Sequence, residues 1–193
     1  RKARGAHPIP RAAALTPMEP SWQDAISFAA RAHRNQNRRD ASTPYIAHPC
    51  RVMMIVRHVF GCDDTVTLAA AVLHDTIEDT TTDYDDLLQR FGPDVADIVA
   101  ALTKNMALPD QKREAEYDSR LGAADWRARL IKLADVYDNL CDLSTLSRES
   151  LPERQRKAVD KAKRALALGE LDRHARACTA RALQIVEDKI RTN

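Results

Sequence analysis

Glycine is scarce in this chain, with five residues in 193. A sequence so poor in the residue that tight turns and β-bulges demand is not assembled from many short strands. Its long segments between breakers, rich in Ala and Leu, point to helices instead. Aromatic side chains are few, three Phe, four Tyr and two Trp, so the core must come from Leu, Ile, Val and Ala. The four cysteines, Cys50, Cys62, Cys141 and Cys178, form no C-x-x-C pair. That argues against a Cys-based zinc site and fits free, buried thiols in a reducing cytoplasm. No stretch approaches the roughly twenty apolar residues of a membrane-spanning helix. Residues 1–20 carry four basic groups with Pro8, Pro10, Pro17 and Pro20. They have no apolar signal-peptide core and read as a disordered leader. A cytoplasmic protein without a membrane partner is expected.

The length suits one domain with a sizeable core. Its net charge of +2 hides an asymmetry: residues 152–193 carry +5, residues 1–20 carry +3 and residues 21–151 carry −6. An acidic centre suits a cation, and a basic tail can attract an anion. An ordinary solvated pair of helices accounts for that tail equally well, and nucleic acid is not the expected partner.

Apolar spacing and breakers divide the chain into helices. The first runs from Trp22 to about Arg34 with Ser21 as N-cap, followed by a polar, basic loop over Asn35–Pro44. Pro49 sits in the first turn of the next helix, which reaches about Phe60 and ends at Gly61. Asp63 or Asp64 caps a helix that carries the run Leu73-His74-Asp75-Thr76-Ile77-Glu78-Asp79. Asp83 starts a short helix ending at Phe91-Gly92, Pro93 opens another, and Asn105–Asp110 is a loop. Trp126–Leu146 is the clearest amphipathic helix, with Trp126, Leu130, Leu133, Ala134, Tyr137, Leu140 and Cys141 on one stripe. Asp135, Asn139 and Asp142 share another. Pro152 and Gly169 bracket a further helix, and a last one spans about Leu171 to Ile190.

Ionised groups in an apolar run need partners. A divalent cation is the economical one for the adjacent imidazole and carboxylate of His74 and Asp75. His48 and Asp135, on two other helices, complete a set of two neutral nitrogens and two carboxylates. Mixed N/O ligation suits manganese, iron or zinc better than calcium. Glu78 and Asp79 lie one turn on, within reach of a water whose proton they could accept. In the loop, Arg34, Arg38 and Arg39 offer guanidinium groups that stack on bases or grip phosphate, and Lys104 and Lys132 are further phosphate candidates.

Five blocks carry a resemblance. They are Phe28-Ala29-Ala30-Arg31-Ala32-His33, Thr43-Pro44-Tyr45-Ile46-Ala47-His48-Pro49, Leu73 through Thr80, Phe91-Gly92 through Thr103-Lys104, and Lys132-Leu133-Ala134-Asp135 through Asn139-Leu140. In order and spacing they resemble the hydrolase domain of RelA/SpoT-type alarmone enzymes, in the form of a stand-alone small alarmone hydrolase. The resemblance implies an all-α fold, a single HD-domain helical bundle of roughly eight to ten helices. It would span 21–193, with its core over 22–146 and C-terminal helices over 152–190. It implies one Mn²⁺ per chain held by His48, His74, Asp75 and Asp135. The implied activity is hydrolysis of the 3′-pyrophosphate of (p)ppGpp to GDP or GTP and pyrophosphate, with Glu78 and Asp79 handling the attacking water. Arg38 matches the position that packs on guanine, with Arg39 beside it, and Asn139 matches a ribose contact with Asp142 one turn on. Together with Lys104 these are the expected substrate-binding residues.

Two features depart from the family pattern. Asp40-Ala41-Ser42 replaces Ser-Gly-Glu after the basic pair, and residues 152–168 hold no Phe, Tyr or Trp. The same chemistry on (p)ppApp, or on the 2′-phosphate of NADPH, is therefore the alternative. A catalytically silent nucleotide-binding module is the rival from another class, and the intact Glu78-Asp79 pair argues against it. The oligomeric state is left open.

Overall fold

The computed structural model describes residues 21–145 and 151–192. The expected leader and Leu146 lie outside the described residues. Those described form ten α-helices, and their β pairing is a single bridge between Asn37 and Pro44.

The fold is organised around α3 (Thr65–Leu73), in which every residue from Thr67 to Leu73 is buried. A helix apolar on all sides must be surrounded. It contacts α1 (Trp22–Ala32), α2 (Ala47–Met54), α6 (Pro93–Leu102) and α8 (Trp126–Cys141). Ser21 caps α1 by accepting from the Asp24 N–H at 3.3 Å, as its position predicts. The second helix carries Pro49 in its first turn and continues through one π-helical turn, Ile55–Val59. Asp64 rather than Asp63 caps α3, accepting from the Thr67 N–H at 2.8 Å and from Arg127 Nε at 2.9 Å.

The helix predicted to carry the His-Asp pair does not run through it. It stops at Leu73, Asp75 has φ −101° and ψ −1°, and a separate turn, α4 (Thr76–Asp79), follows. Side chains satisfy the terminal carbonyls in place of the continuing helix: His74 Nδ1–H donates to Ala71 O at 2.8 Å and Thr76 Oγ1 to Leu73 O at 2.7 Å. Such local bonds compete with the helical ladder.

Next come α5 (Tyr84–Phe91), with a capping box between Asp83 and Asp86, and α6; Gly92 joins them at φ 84°, where a side chain would be strained. The helix α7 (Asp110–Ala123) escapes apolar-pattern reading because only Tyr117 and Leu121 of its residues are buried. Tertiary bonds hold it. Arg120 donates to the carbonyls of Ala100 and Thr103 at 2.5 and 2.6 Å, and Arg164 pairs with Asp118 at 2.7 Å.

In α8 burial is not confined to the predicted stripe. Ala128, Ile131, Val136 and Asp138 are buried as well, because α2, α3, α6, α9 (Leu151–Gly169) and α10 (Ala177–Arg191) all pack on it. Cys141, by contrast, is exposed and Cys50 and Cys178 half-buried, so only Cys62 fits the expectation of a buried thiol. The helix ends at Cys141 and passes into a 3₁₀ turn, Asp142–Thr145.

The last helix begins at Ala177, not near Leu171, because Glu170–Asp172 is tied into a 3₁₀ turn. Asp172 accepts from Arg129 at 2.6 Å, and the same buried guanidinium donates to the carbonyls of Leu121, Gly122 and Ala124. At Gly169 a Cβ would come within 2.9 Å of Leu183 Cδ2 and 3.1 Å of Leu133 Cδ1, so a larger residue there would displace those leucine side chains.

Loss of the Asp64 cap is expected to cost about 1–2 kcal/mol. Its carboxyl is held below the ordinary range by its Thr67 and Arg127 hydrogen bonds despite opposing burial. A lowered folded-state pKa contributes stability above the unfolded value, and that contribution disappears as pH falls through the folded value. In urea titrations Asp64→Ala should therefore be less stable than wild type at neutral pH, with the gap closing in acid. A gap that does not shrink in acid would contradict this account of the cap.

Candidate metal centre and catalytic cleft

Four side chains converge where the α3–α4 break meets α2 and α8. His48 comes from the first turn of α2, His74 and Asp75 from the break, and Asp135 from the middle of α8. His48 Nε2 lies 3.3 Å from Asp135 Oδ1 and 3.6 Å from Asp75 Oδ2, and His74 Nε2 lies 3.1 Å from Asp75 Oδ2. Ligand atoms of His48, His74 and Asp135 all lie within 4.8 Å of one another.

Both imidazole tautomers follow from their outer bonds. His48 Nδ1–H donates to Asp138 Oδ2 at 2.7 Å, and His74 Nδ1–H donates to the Ala71 carbonyl. Each Nε2 lone pair is thereby turned inward, and His74 Nε2 is buried without a hydrogen-bond partner. Two nitrogen lone pairs and the Asp135 carboxylate aimed at one point, with Asp75 Oδ2 close to both nitrogens, fit a divalent cation. The carboxylate–histidine support matches the outer-shell pattern of metal sites.

The same carboxylates that would attract a cation also attract protons, so the two compete for the His48 Nε2. Burial opposes protonation of His48, but hydrogen bonds to Asp135 and Asp138 and the charges of Asp135 and Asp75 push its imidazole up to about 9. Burial alone would raise Asp135, yet Lys132, His48 and His74 hold it well below the carboxylate range.

Asp138 was given no role by sequence reasoning, although it lies one turn from Asp135. It is buried and also binds Arg51, accepting from Nε at 2.6 Å and Nη2 at 2.8 Å. No local pattern announces it, because its partners are 90 and 87 residues away.

Around the centre opens a cleft of about 260 Å³, lined by Glu78, Asp79, Arg38, Arg39, Lys104 and Asn139 besides the four converging residues. Glu78 Oε2 accepts from the Lys104 N–H at 2.8 Å. Burial raises its carboxyl, and the charges of Asp75 and Asp79 add to this against the pull of Lys104. The Tyr45 hydroxyl lies 2.6 Å from Asp75 Oδ2 and 3.0 Å from Asp79 Oδ2, sharing its proton between them. Gln36 Nε2 donates to the Asp79 carbonyl at 2.7 Å while holding His33 Nδ1 at 2.7 Å. His33 in turn lies against Tyr45 at 4.7 Å between ring centroids. Tyr45, Gln36 and His33 thus orient the acidic wall, a role sequence reasoning did not assign them.

The predicted substrate residues fall into two groups. Arg38 donates to Asp142 Oδ2 at 2.6 Å and to Asn139 Oδ1 at 3.3 Å, with its guanidinium 5.7 Å from the Tyr45 ring centre. Asn139 also donates to Asp135 Oδ1 at 2.6 Å. Asp142 is occupied by Arg38 and Arg51, so it anchors guanidinium groups and does not line the cleft. Lys104 and Lys132 reach the cleft, Lys104 paired with Glu114 at 2.5 Å and Lys132 with Asp135 at 2.7 Å. Arg34 is not among the lining residues. The Asp40 turn closes on itself, its carboxylate accepting from the Ser42 and Thr43 N–H groups, and Ala41 takes φ 61°.

An all-helical bundle that brings two histidines and two aspartates together beside a carboxylate pair has the architecture of a metal-dependent phosphohydrolase. Residues 25–166 match the HD domain family, and the chain belongs to it. The chain is 40% identical over 133 residues to the guanosine-3′,5′-bis(diphosphate) 3′-pyrophosphohydrolase MESH1 of Xenopus tropicalis, covering 68% of this chain and 74% of that protein. Against the Homo sapiens MESH1 it is 41% identical over 131 residues, 67% of this chain and 73% of that one. A solved structure described as a metazoan ortholog of SpoT that hydrolyzes ppGpp superposes with a TM-score of 0.76 at 31% identity, covering 89% of this chain and 94% of that one.

Because Asp138 sets the His48 tautomer, Asp138→Asn should weaken metal binding by about 10–100-fold. Competition against a chromogenic chelator measures this. Unchanged metal affinity in a folded Asp138→Asn protein would contradict the assigned role.

Proposed function

We propose that the chain hydrolyses the 3′-pyrophosphate of guanosine polyphosphates, releasing pyrophosphate and leaving GDP or GTP. The carrying observation is the convergence of both Nε2 atoms and both carboxylates beside Glu78 and Asp79, in a chain closely similar to guanosine-3′,5′-bis(diphosphate) 3′-pyrophosphohydrolases. His48, His74, Asp75 and Asp135 would hold the cation, which we take to be one manganese per chain. When bound, it supplies Lewis-acid charge at the scissile phosphoryl group.

The residues of the chain do the rest. Glu78, with its carboxyl raised by burial, takes a proton from the attacking water, and Asp79, held by Tyr45, orients that water. Water adds to the phosphorus joined to the ribose 3′-oxygen, the P–O3′ bond breaks, pyrophosphate departs, and O3′ is protonated from solvent. Arg38 is pre-oriented by Asp142 and Asn139 to lie along the base, while Arg39, Lys104 and Lys132 face the phosphates. The self-closed Asp40 turn, where relatives of the resembled family carry Ser-Gly-Glu, leaves an adenine alarmone as the second reading. A cytoplasmic location is in keeping with four free cysteines.

Pyrophosphate release from ppGpp and ppApp, with manganese and with chelator, tests this. Manganese-dependent release from ppGpp is expected, and the ratio to ppApp gives the base preference. Silence on both substrates with metal bound would overturn the proposal. Glu78→Gln should lower kcat about 100-fold or more. A base works only when ionised, so the wild-type rate should fall in acid through an apparent pKa above the ordinary 4.5 of glutamate. An acid limb unchanged in Glu78→Gln would assign the base to another group.

A further inference from the structure

A second cavity, of about 400 Å³, opens between α8 and α9. It shares Arg39, Lys132, Asp135, Asn139 and Lys161 with the metal cleft, so the two are continuous. Its outer wall is the face of α9 bearing Arg154, Lys157 and Lys161, at the i, i+3, i+7 spacing that puts side chains on one side of a helix. Lys157 pairs with Glu153 at 2.5 Å. Arg39, Arg154 and Lys161 have no carboxylate within ion-pair distance among the described residues. Desolvation, then Arg154 and Arg38, lowers the Arg39 pKa, and desolvation, then Lys104 and Lys132, lowers that of Lys161. These cations crowd one another, and the charges of Asp142 at Arg39 and of Asp135 and Glu114 at Lys161 offset the repulsion only in part, so an entering anion relieves it. Among the described residues no aromatic side chain lines the cavity, so none of them offers a base a face to stack on there.

We propose that this cavity receives the 5′-polyphosphate chain of the nucleotide whose 3′-pyrophosphate lies in the metal cleft. Arg39, Arg154 and Lys161 then make selection depend on the number of 5′ phosphates. The inference rests on the 3′-pyrophosphohydrolase reading above. It accounts for the basic face of α9, which the hydrolytic chemistry leaves unused. Ribose carries its 3′ and 5′ substituents on opposite sides of the ring, so one nucleotide can span both cavities. Because these contacts persist from ground state to transition state, they act through KM more than kcat.

The test compares guanosine 3′-diphosphates bearing a 5′-hydroxyl, monophosphate, diphosphate or triphosphate, in wild type and in the Arg154→Ala/Lys161→Ala double variant. In wild type kcat/KM should rise by about tenfold or more from the 5′-hydroxyl to the 5′-triphosphate, the scale of one charge-assisted contact. In the variant that ratio should collapse towards one. Because the ratio is taken within each protein, a general loss of activity cancels. Equal kcat/KM for all four substrates in wild type, or an undiminished ratio in the variant, would overturn the inference while leaving the hydrolase reading intact. Hydrolysis of none of the four would overturn both. Free GTP that accelerates turnover of the 5′-hydroxyl substrate would reassign the cavity to a separate nucleotide and likewise overturn it.

Discussion

The structure depends on the inward aim of two imidazole lone pairs at the foot of its central helix. His48 and His74 each spend Nδ1–H on an outer acceptor, Asp138 and the Ala71 carbonyl. Their Nε2 atoms are left facing Asp75 and Asp135. Such a concentration of acceptors is tolerable only with a cation or protons among them. The break after Leu73 is part of the same device. Were α3 to continue, His74 and Asp75 would point roughly 100° apart. The bridge-region backbone of Asp75 and the Thr76 hydroxyl bond turn both towards the centre instead.

Charge is sorted around that point. One wall is acidic, with Glu78 and Asp79 braced by the Lys104 N–H, Tyr45 and Gln36. The cleft is also lined by cations, with Arg38 clamped by Asp142 and Asn139, and with Arg39, Lys132 and Lys161. Arg38, Arg39 and Lys132 belong to residues 21–151, which carry −6 overall, and Lys161 comes from the +5 of residues 152–193. The acidic centre surrounds a cation site, and α9 brings part of the basic tail against it. Ala41 at φ 61° is a local cost in the loop that carries Arg38 and Arg39, since αL conformations suit glycine better.

Much of the fold was legible because its signals are local. Ser21, Asp64, Asp83 and Pro93 mark helix starts by cap chemistry that needs no distant partner. The helix α7 was not legible, since two buried side chains set no period and its anchors lie on other helices. The early stop of α8 and the late start of α10 were missed for a similar reason, the latter because Arg129 ties down Asp172.

The sequence by itself determined the class of fold and singled out the residues of the candidate centre. A glycine-poor, Ala/Leu-rich chain with an adjacent His-Asp pair, an upstream histidine and a downstream aspartate restricts both. Residue types and spacings are one-dimensional facts. Tertiary structure decided which polar groups became functional support. Asp138, Tyr45, Gln36 and His33 gain their contacts only through partners brought from other segments, and Asp142 pairs with Arg38 across 104 positions of chain. The reason is that hydrogen bonds and ion pairs act over about 3 Å of space, and no spacing along the chain encodes which residues, 90 or 104 positions apart, will share it.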